Sequence, residues 1–294
     1  MVFSQKSRSI LDLFSSKQIF FVGGIVKSGT TWLQLLLDAH PNVSCTGEGH
    51  FFDVLGPSLA NALEQYNNYT KDKNTTIFSE FRGQPLISKE DFAHLLASAI
   101  AMLLVSGQGG KMASALGEKT PDNVRCFAVI AKIIPSAKFV HLVRDGRDCA
   151  VSAWFHNLRF TADQTHAAFS SIDDYVAQFA EGWAADVAKG LDFAANHPDR
   201  CHTLRYEDLV SNTEYHLGNV LRFLGMPDDA AAVTNCCAMA SFQTLSGGRQ
   251  RGDEDRTSFF RKGVVGDWRA HVTKQTATLF EEKACQWLEY FGYS

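Results

Sequence analysis

Ile19-Phe20-Phe21-Val22-Gly23-Gly24-Ile25-Val26-Lys27-Ser28-Gly29-Thr30-Thr31-Trp32 is the stretch whose reading decides the fold. An apolar, β-branched run leads into glycines, then into Lys-Ser-Gly-Thr-Thr, and then into Trp32-Leu33-Gln34-Leu35-Leu36-Leu37-Asp38, whose composition is helical. That order predicts strand, tight loop, helix. A loop of this kind holds an anion. Free N–H groups at the helix start and the positive end of its dipole face the ligand, and glycine lets the backbone approach it. Lys27 adds a mobile charge, and Ser28, Thr30 and Thr31 add hydroxyl donors.

Gly24 and Gly29 have the glycine spacing of the nucleotide P-loop, G-x-x-x-x-G-K-S/T. Thr30 stands where that pattern requires lysine, and the lysine has moved to position 27. This disfavours a kinase or NTPase, which must hold magnesium and a triphosphate. A ligand with a single 5′-phosphate group, needing no metal, fits better.

At 294 residues, 45% of them hydrophobic and 20% charged, the chain has material for one large α/β core with insertions. A net charge of −4 argues against a dedicated nucleic-acid binder, whose footprint is a basic excess. Residues 1–16 read as an N-terminal extension without the apolar core and cleavage pattern of an export signal, and no stretch reaches the length of a membrane span. The expectation is a soluble, cytoplasmic protein with no membrane or nucleic-acid partner. Seven cysteines at 45, 126, 149, 201, 236, 237 and 285 show no C-x-x-C and no metal-ligand spacing, so they read as reduced thiols and no metal site is expected.

Beyond the first helix, His40-Pro41-Asn42 is a helix stop. Glu48 and His50 then fall between glycines just past a second strand, where the loops of a doubly wound sheet form the ligand crevice, and both are candidates for acid–base work. Residues 56–80 are polar and weakly patterned and read as an inserted loop or helix pair. Ser88 to Asp91 caps an amphipathic helix that ends near Gly107. Lys119 is either a surface lysine or a second cation facing the ligand.

A second strong segment is Ala137-Lys138-Phe139-Val140-His141-Leu142-Val143-Arg144-Asp145-Gly146-Arg147-Asp148. It is an apolar strand that ends in Arg144 and turns into a helix carrying Ser152, and arginine suits bidentate phosphate recognition. From Ser241 to Trp268 the chain is rich in glycine and mixed charge, too polar for a packed element. A lid over residues 244–268, its Arg261 and Lys262 reaching an anion, is the expectation.

Taken together, these residues resemble the sulfotransferase family that uses 3′-phosphoadenosine 5′-phosphosulfate (PAPS) and releases 3′,5′-bisphosphoadenosine (PAP). Lys27-Ser28-Gly29-Thr30-Thr31-Trp32 is similar to the family's 5′-phosphosulfate loop, and Arg144 with Ser152 has the spacing of its 3′-phosphate site. Arg261-Lys262-Gly263, with Gly266-Asp267-Trp268, resembles the C-terminal motif of cytosolic sulfotransferases that closes over the same phosphate. The resemblance covers nearly the whole chain, 1–294, as one sulfotransferase domain. It implies a P-loop-like central parallel sheet flanked by helices, with PAPS as donor and no metal. Trp32, Tyr206 and Phe242 would surround the adenine. Lys27 would stabilise charge on the leaving phosphate oxygen.

One departure matters for the chemistry. Cytosolic sulfotransferases typically carry Lys-Thr-His, the histidine acting as base, and this chain has Lys119-Thr120-Pro121 instead. Tyrosylprotein sulfotransferases place a glutamate after a stretch similar to residues 37–45, and Glu48 matches that position. The resemblance therefore implies Glu48 as base, His50 as second choice, and Lys119 assisting at the transferring group. The acceptor expected is a small molecule offering a hydroxyl or a nitrogen, on the strength of the Gly266-Asp267-Trp268 motif and the missing export signal. A peptidyl tyrosine and a P-loop-like nucleotide kinase are the alternatives. The oligomeric state stays open, a homodimer included.

Overall fold

The structure, a computed structural model, describes residues 5–293. Of the N-terminal extension, Met1 to Ser4 lie outside the described residues, and Gln5–Ser15 form helix α1. Five strands follow in the chain: β1 (Gln18–Gly23), β2 (Val43–Thr46), β3 (Ala115–Lys119), β4 (Lys138–Val143) and β5 (Cys201–Arg205). They form one sheet in the order β2-β3-β1-β4-β5, with every neighbouring pair parallel. This is the α/β domain expected, a parallel sheet flanked by helices.

The helices occupy the crossovers. α2 (Thr30–Asp38) joins β1 to β2; α3 (Gly56–Thr76) and α4 (Lys89–Ser106) lie between β2 and β3. α5 (Asn123–Ile133) joins β3 to β4, and α6 (Gly146–Ala168) and α7 (Ile172–Asn196) join β4 to β5. α8 (Tyr206–Ser211), α9 (Thr213–Leu224), α10 (Ala230–Met239), α11 (Phe242–Leu245) and α12 (Lys274–Phe291) complete the fold. The polar stretch after residue 56 is one 21-residue helix, α3, rather than a loop. Asn61, Asn67, Asn68 and Asn74 weaken a helical reading on propensity, and the helix is half-supported by packing on α4. Ser88 caps α4 through a complete capping box with Asp91, as its sequence requires.

β1 is buried on both faces, which is why its sequence is apolar without a break. Phe20 and Val22 pack with Leu33, Leu36, Val140 and Leu221 on one side. Ile19 and Phe21 pack with Leu116, Phe127 and Phe139 on the other. A third cluster joins α6, α7 and α12 around Trp183 and Phe280. The chain runs from β1 to β2 on one side of the sheet and from β1's other neighbour, β4, to β5 on the opposite side. The strand order therefore reverses beside β1, and a crevice opens at the carboxyl ends of β1, β3 and β4.

Candidate active site

The crevice is a cavity of about 500 Å³, and its walls are drawn from the loop after β1, the loop after β2, the start of α5, α6 and the segment from 242 to 264. Of the residues singled out from sequence, Lys27, Gly29, Thr30, Thr31, Trp32, Glu48, His50, Arg144, Ser152, Tyr206, Phe242, Arg261, Lys262 and Gly263 line it. Ser28 and Lys119 lie just behind, both buried.

The loop after β1 is tightly held. Gly24 donates to the carbonyl of Pro121 at 3.0 Å, and a side chain on Gly24 would meet the Leu142 carbonyl at 2.3 Å. Gly29 has φ 99° and packs on the Tyr206 ring, so only glycine fits there. Lys27 itself adopts φ 67°, a strained conformation for a lysine and of the kind found at functional sites. Burial, then the positive charges of Arg159 and Arg144, lower the Lys27 pKa to about 8. Among the described residues neither Lys27 nor Arg159 has a carboxylate ion-pair partner. The Ser28 hydroxyl and the Arg144 Nε are buried with no hydrogen-bond partner. Buried donors and cations without a carboxylate partner beside a helix start are the chemistry of an anion site.

Arg144 is placed by packing rather than by chance of position. Its guanidinium lies 4.4 Å from the Tyr206 ring centroid and donates to the Lys27 and Val264 carbonyls, each at 3.2 Å. Asp148, one helical turn on, sits 3.4 Å from it. Trp32 donates its indole N–H to the Ala240 carbonyl at 2.9 Å and meets Tyr206 edge-on at 5.7 Å. The guanidinium of Arg251 stands over Trp32 at 5.0 Å and over Phe242 at 5.7 Å, completing a flat, aromatic slot.

At the other end of the cavity Lys119 Nζ donates to Glu48 Oε1 at 2.6 Å and to Thr31 Oγ1 at 3.0 Å. Burial alone would push the Glu48 carboxyl up, but the hydrogen bond and charge of Lys119, with His50, hold it below its ordinary range. His50 faces Glu48 across 3.5 Å and binds Asp53 through Nδ1 at 2.7 Å, which raises the pKa of the imidazole. Lys119 is thus buried rather than a surface lysine, and it meets the cavity wall through Glu48 and Thr31.

Arg261 and Lys262 reach the cavity, yet their charges are already met: both pair with Asp267, Lys262 at 2.6 Å, and Arg261 also pairs with Glu254. Sequence reading missed several residues here. His156 and Arg159 line the pocket region beside Ser152 on the same face of α6, at steps of four and three residues, a spacing that was available in the sequence. The His156 pKa falls to about 4 through burial and then the charges of Lys27 and Arg159, so it stands there as neutral imidazole. Asp53 was hidden because a π-helical turn, Phe51–Leu55, brings it back to His50. Among the described residues no cluster of His, Cys, Asp and Glu suits a metal.

A parallel sheet whose glycine-turned loop leads into a helix start at the switch point belongs to the class of folds that bind phosphate-bearing ligands there. A family model described as the sulfotransferase family matches residues 19–230, and the chain belongs to that family. Protein-tyrosine sulfotransferase 1 of Danio rerio is 28% identical over 211 residues, 71% of this chain and 53% of that protein. The protein-tyrosine sulfotransferase of Drosophila melanogaster is 26% identical over 213 residues, 71% of this chain and 38% of that protein. The match therefore spans about half the length of these curated relatives or less. In fold, the chain is similar to a mouse sulfotransferase complexed with PAP, with TM-score 0.57 and 19% identity over 95% of this chain and 87% of that one. A sulfotransferase of Mycobacterium avium gives TM-score 0.55 at 12% identity, over 97% and 79%.

These relatives correct one expectation. A cytoplasmic location was expected from an N-terminus without an export pattern and from the lack of a stretch long enough to span a membrane. The curated relatives are protein-tyrosine sulfotransferases, and the cytoplasmic assignment is withdrawn on that finding. Among the described residues no helix is long and apolar enough to cross a membrane.

Proposed function

We propose that the chain transfers a sulfuryl group from PAPS to the hydroxyl of a peptidyl tyrosine, in preference to the small-molecule acceptor that sequence first suggested. The observation that carries the proposal is that Glu48 and Thr31, joined by the buried Lys119 behind them, line one cavity with Lys27, which has no carboxylate partner among the described residues. The names of the curated relatives support the acceptor class, and a proline in place of the usual histidine supports a carboxylate base.

The residues fit the donor. Lys27, Ser28 and the N–H groups at the start of α2 would hold its 5′-phosphosulfate; Arg144 and Ser152 would hold its 3′-phosphate; Trp32, Tyr206 and Phe242 would enclose its base. The bound donor supplies an activated sulfuryl group. Glu48 takes the proton of the attacking hydroxyl, while Lys27 and Lys119 oppose the negative charge that develops between nucleophile and leaving oxygen. An anion that competes for Lys119 leaves the exposed Glu48 carboxylate without its counter-charge. Its proton affinity then rises when a base is needed.

The lid reading of residues 244–268 is part of the same proposal, with Gly263 stacked at φ 70° against Phe242 to close the base slot. Incubation of the protein with PAPS and a tyrosine-bearing peptide tests the whole. The expected result is a peptide heavier by one sulfuryl group and release of PAP, without magnesium, with turnover cut to a small residual rate and PAP binding kept in Glu48→Gln. Transfer to a small phenol but to no peptide would return the acceptor to the small-molecule class, and phosphate transfer from ATP with magnesium would overturn the reading.

A further inference from the structure

Lys119 has a neighbour in β3 that the chemistry above leaves unused. Glu118 is fully buried, and burial pushes its carboxyl up against three hydrogen bonds that pull it down. Burying a carboxylate is costly unless its lone pairs are met, so its partners show what it is for. Glu118 Oε1 accepts the backbone N–H of Gly49 at 2.8 Å and the Thr120 hydroxyl; Oε2 accepts the Asn123 amide at 2.8 Å. Asn123 also donates to the Val22 carbonyl at 3.2 Å, which ties the group to the end of β1. Thr120 in turn accepts the backbone N–H of His50 at 3.3 Å.

Successive side chains of a strand point to opposite faces, so Glu118 and Lys119 approach the loop after β2 from two sides. Lys119 grips the Glu48 carboxylate, Glu118 grips the next backbone N–H and Thr120 the one after. Residues 47–50 belong to no helix or strand and include a left-handed His50 at φ 47°, so without these bonds the loop has little to fix it.

We propose that Glu118 is a positioning residue for the transfer step: through the Gly49 N–H it sets the place of the Glu48 carboxylate relative to Lys119 and Thr31. It touches neither donor nor acceptor. This rests on Glu48 being the base. Glutamine at 118 keeps one accepting oxygen but turns an NH2 toward the Asn123 amide, donor against donor, and the clamp loosens.

The test is a double-mutant cycle of Glu118→Gln and Glu48→Gln, reading kcat with PAPS and a tyrosine peptide, PAP affinity and Tm. Glu118→Gln is expected to lower kcat about 10- to 100-fold, as a misplacement near 1 Å does, with PAP affinity within about twofold of the parent. In the Glu48→Gln background it should lower kcat no further. Full kcat in Glu118→Gln, or a loss that adds to that of Glu48→Gln, overturns the proposal. Undiminished kcat in Glu48→Gln alone overturns the base reading instead, so the two failures are distinct. Should Glu118→Gln fail to fold, Thr120→Val decides: it removes one strut without stranding a buried charge. A lower kcat at unchanged PAP affinity supports the clamp, and unchanged kcat sinks it.

Discussion

The loop after β1 and the segment from 244 to 268 both bring cations to one cavity, but they treat the charge in opposite ways. Lys27 and its neighbour Arg159 have no carboxylate partner among the described residues, and the Lys27 pKa is depressed to about 8 as a result of burial and like charge. Arg261 and Lys262 pair with Asp267, and Arg256 with Glu254, so these lid cations are already matched, while Arg251 donates to the Gly263 carbonyl and stands over the aromatic slot. An anion entering the cavity meets the full field of Lys27 and only the remainder of the lid's. The donor's grip is therefore expected to come from the loop, and the lid's contribution from closure rather than charge.

Replacing Lys27 tests the stronger side of that contrast. Lys27→Ala should lower kcat/KM by about 10²–10³, the usual loss for one preorganised charge at a transferring group, and weaken PAP binding in calorimetry. Tm should hold or rise, because a buried lysine with a depressed pKa is not a stabilising group. A loss below fivefold or so would break the comparison at its root.

The two sides meet at Asp148. Its oxygens accept the Gly266 N–H at 2.8 Å and the Trp268 N–H at 3.0 Å while facing Arg144 at 3.4 Å. Asp148→Asn removes the charge and sets an NH2 against a backbone N–H, at a cost of about 1–3 kcal/mol. PAP affinity should drop about tenfold, and the segment near Trp268 should lose protection in hydrogen exchange. A drop in affinity with the lid still protected would mean that Asp148 acts on Arg144 alone.

How much of this was legible follows the same division. The sequence around Lys27 states its own geometry, because strand, glycine and helix start are local features, and Arg144 was found for the same reason. The parallel sheet was implied by the family resemblance, and the apolar strands separated by helical crossovers agree with it. Glu48 and Lys119 emerged only as candidates, since their pairing joins residues 71 positions apart and no local pattern encodes it. The internal pairing of Arg261 and Lys262 with Asp267 was written in the segment RKGVVGD, yet the loop's backbone path decides it, and polar glycine-rich sequence does not fix a path. Glu118 looked like an ordinary charged residue until burial was known.

Titration separates the two regions without mutation of the lid. Lys27 is charged below about pH 8 and neutral above it. PAP binding should therefore be strong at neutral pH and weaken by up to about tenfold as pH rises from about 7 to about 9. Folding stability has the opposite sign for this group: the unfolded chain, with an ordinary lysine near 10.5, binds the proton more tightly, so stability gains as pH rises from about 8 to 10.5. Lys27→Ala should flatten both differences. A wild-type binding curve that stays level to pH 9 would show that the bound state does not depend on the lysine's charge.

The smallest effect is expected where the cation is already matched. Lys262→Ala removes one partner from Asp267 and leaves Arg261, with His271 3.5 Å away, in place, so the acid keeps a counter-charge and no buried group is stranded. Asp267 is buried and Lys262 partly so, but the acid keeps Arg261, so the loss is expected to stay at about the 0–1 kcal/mol of an exposed pair, a few-fold in PAP affinity. A loss that rivals Lys27→Ala would show that Lys262 releases Asp267 and turns to the ligand on binding. The lid would then be a charge donor in the bound state, and its internally paired form would be the resting arrangement that the donor breaks.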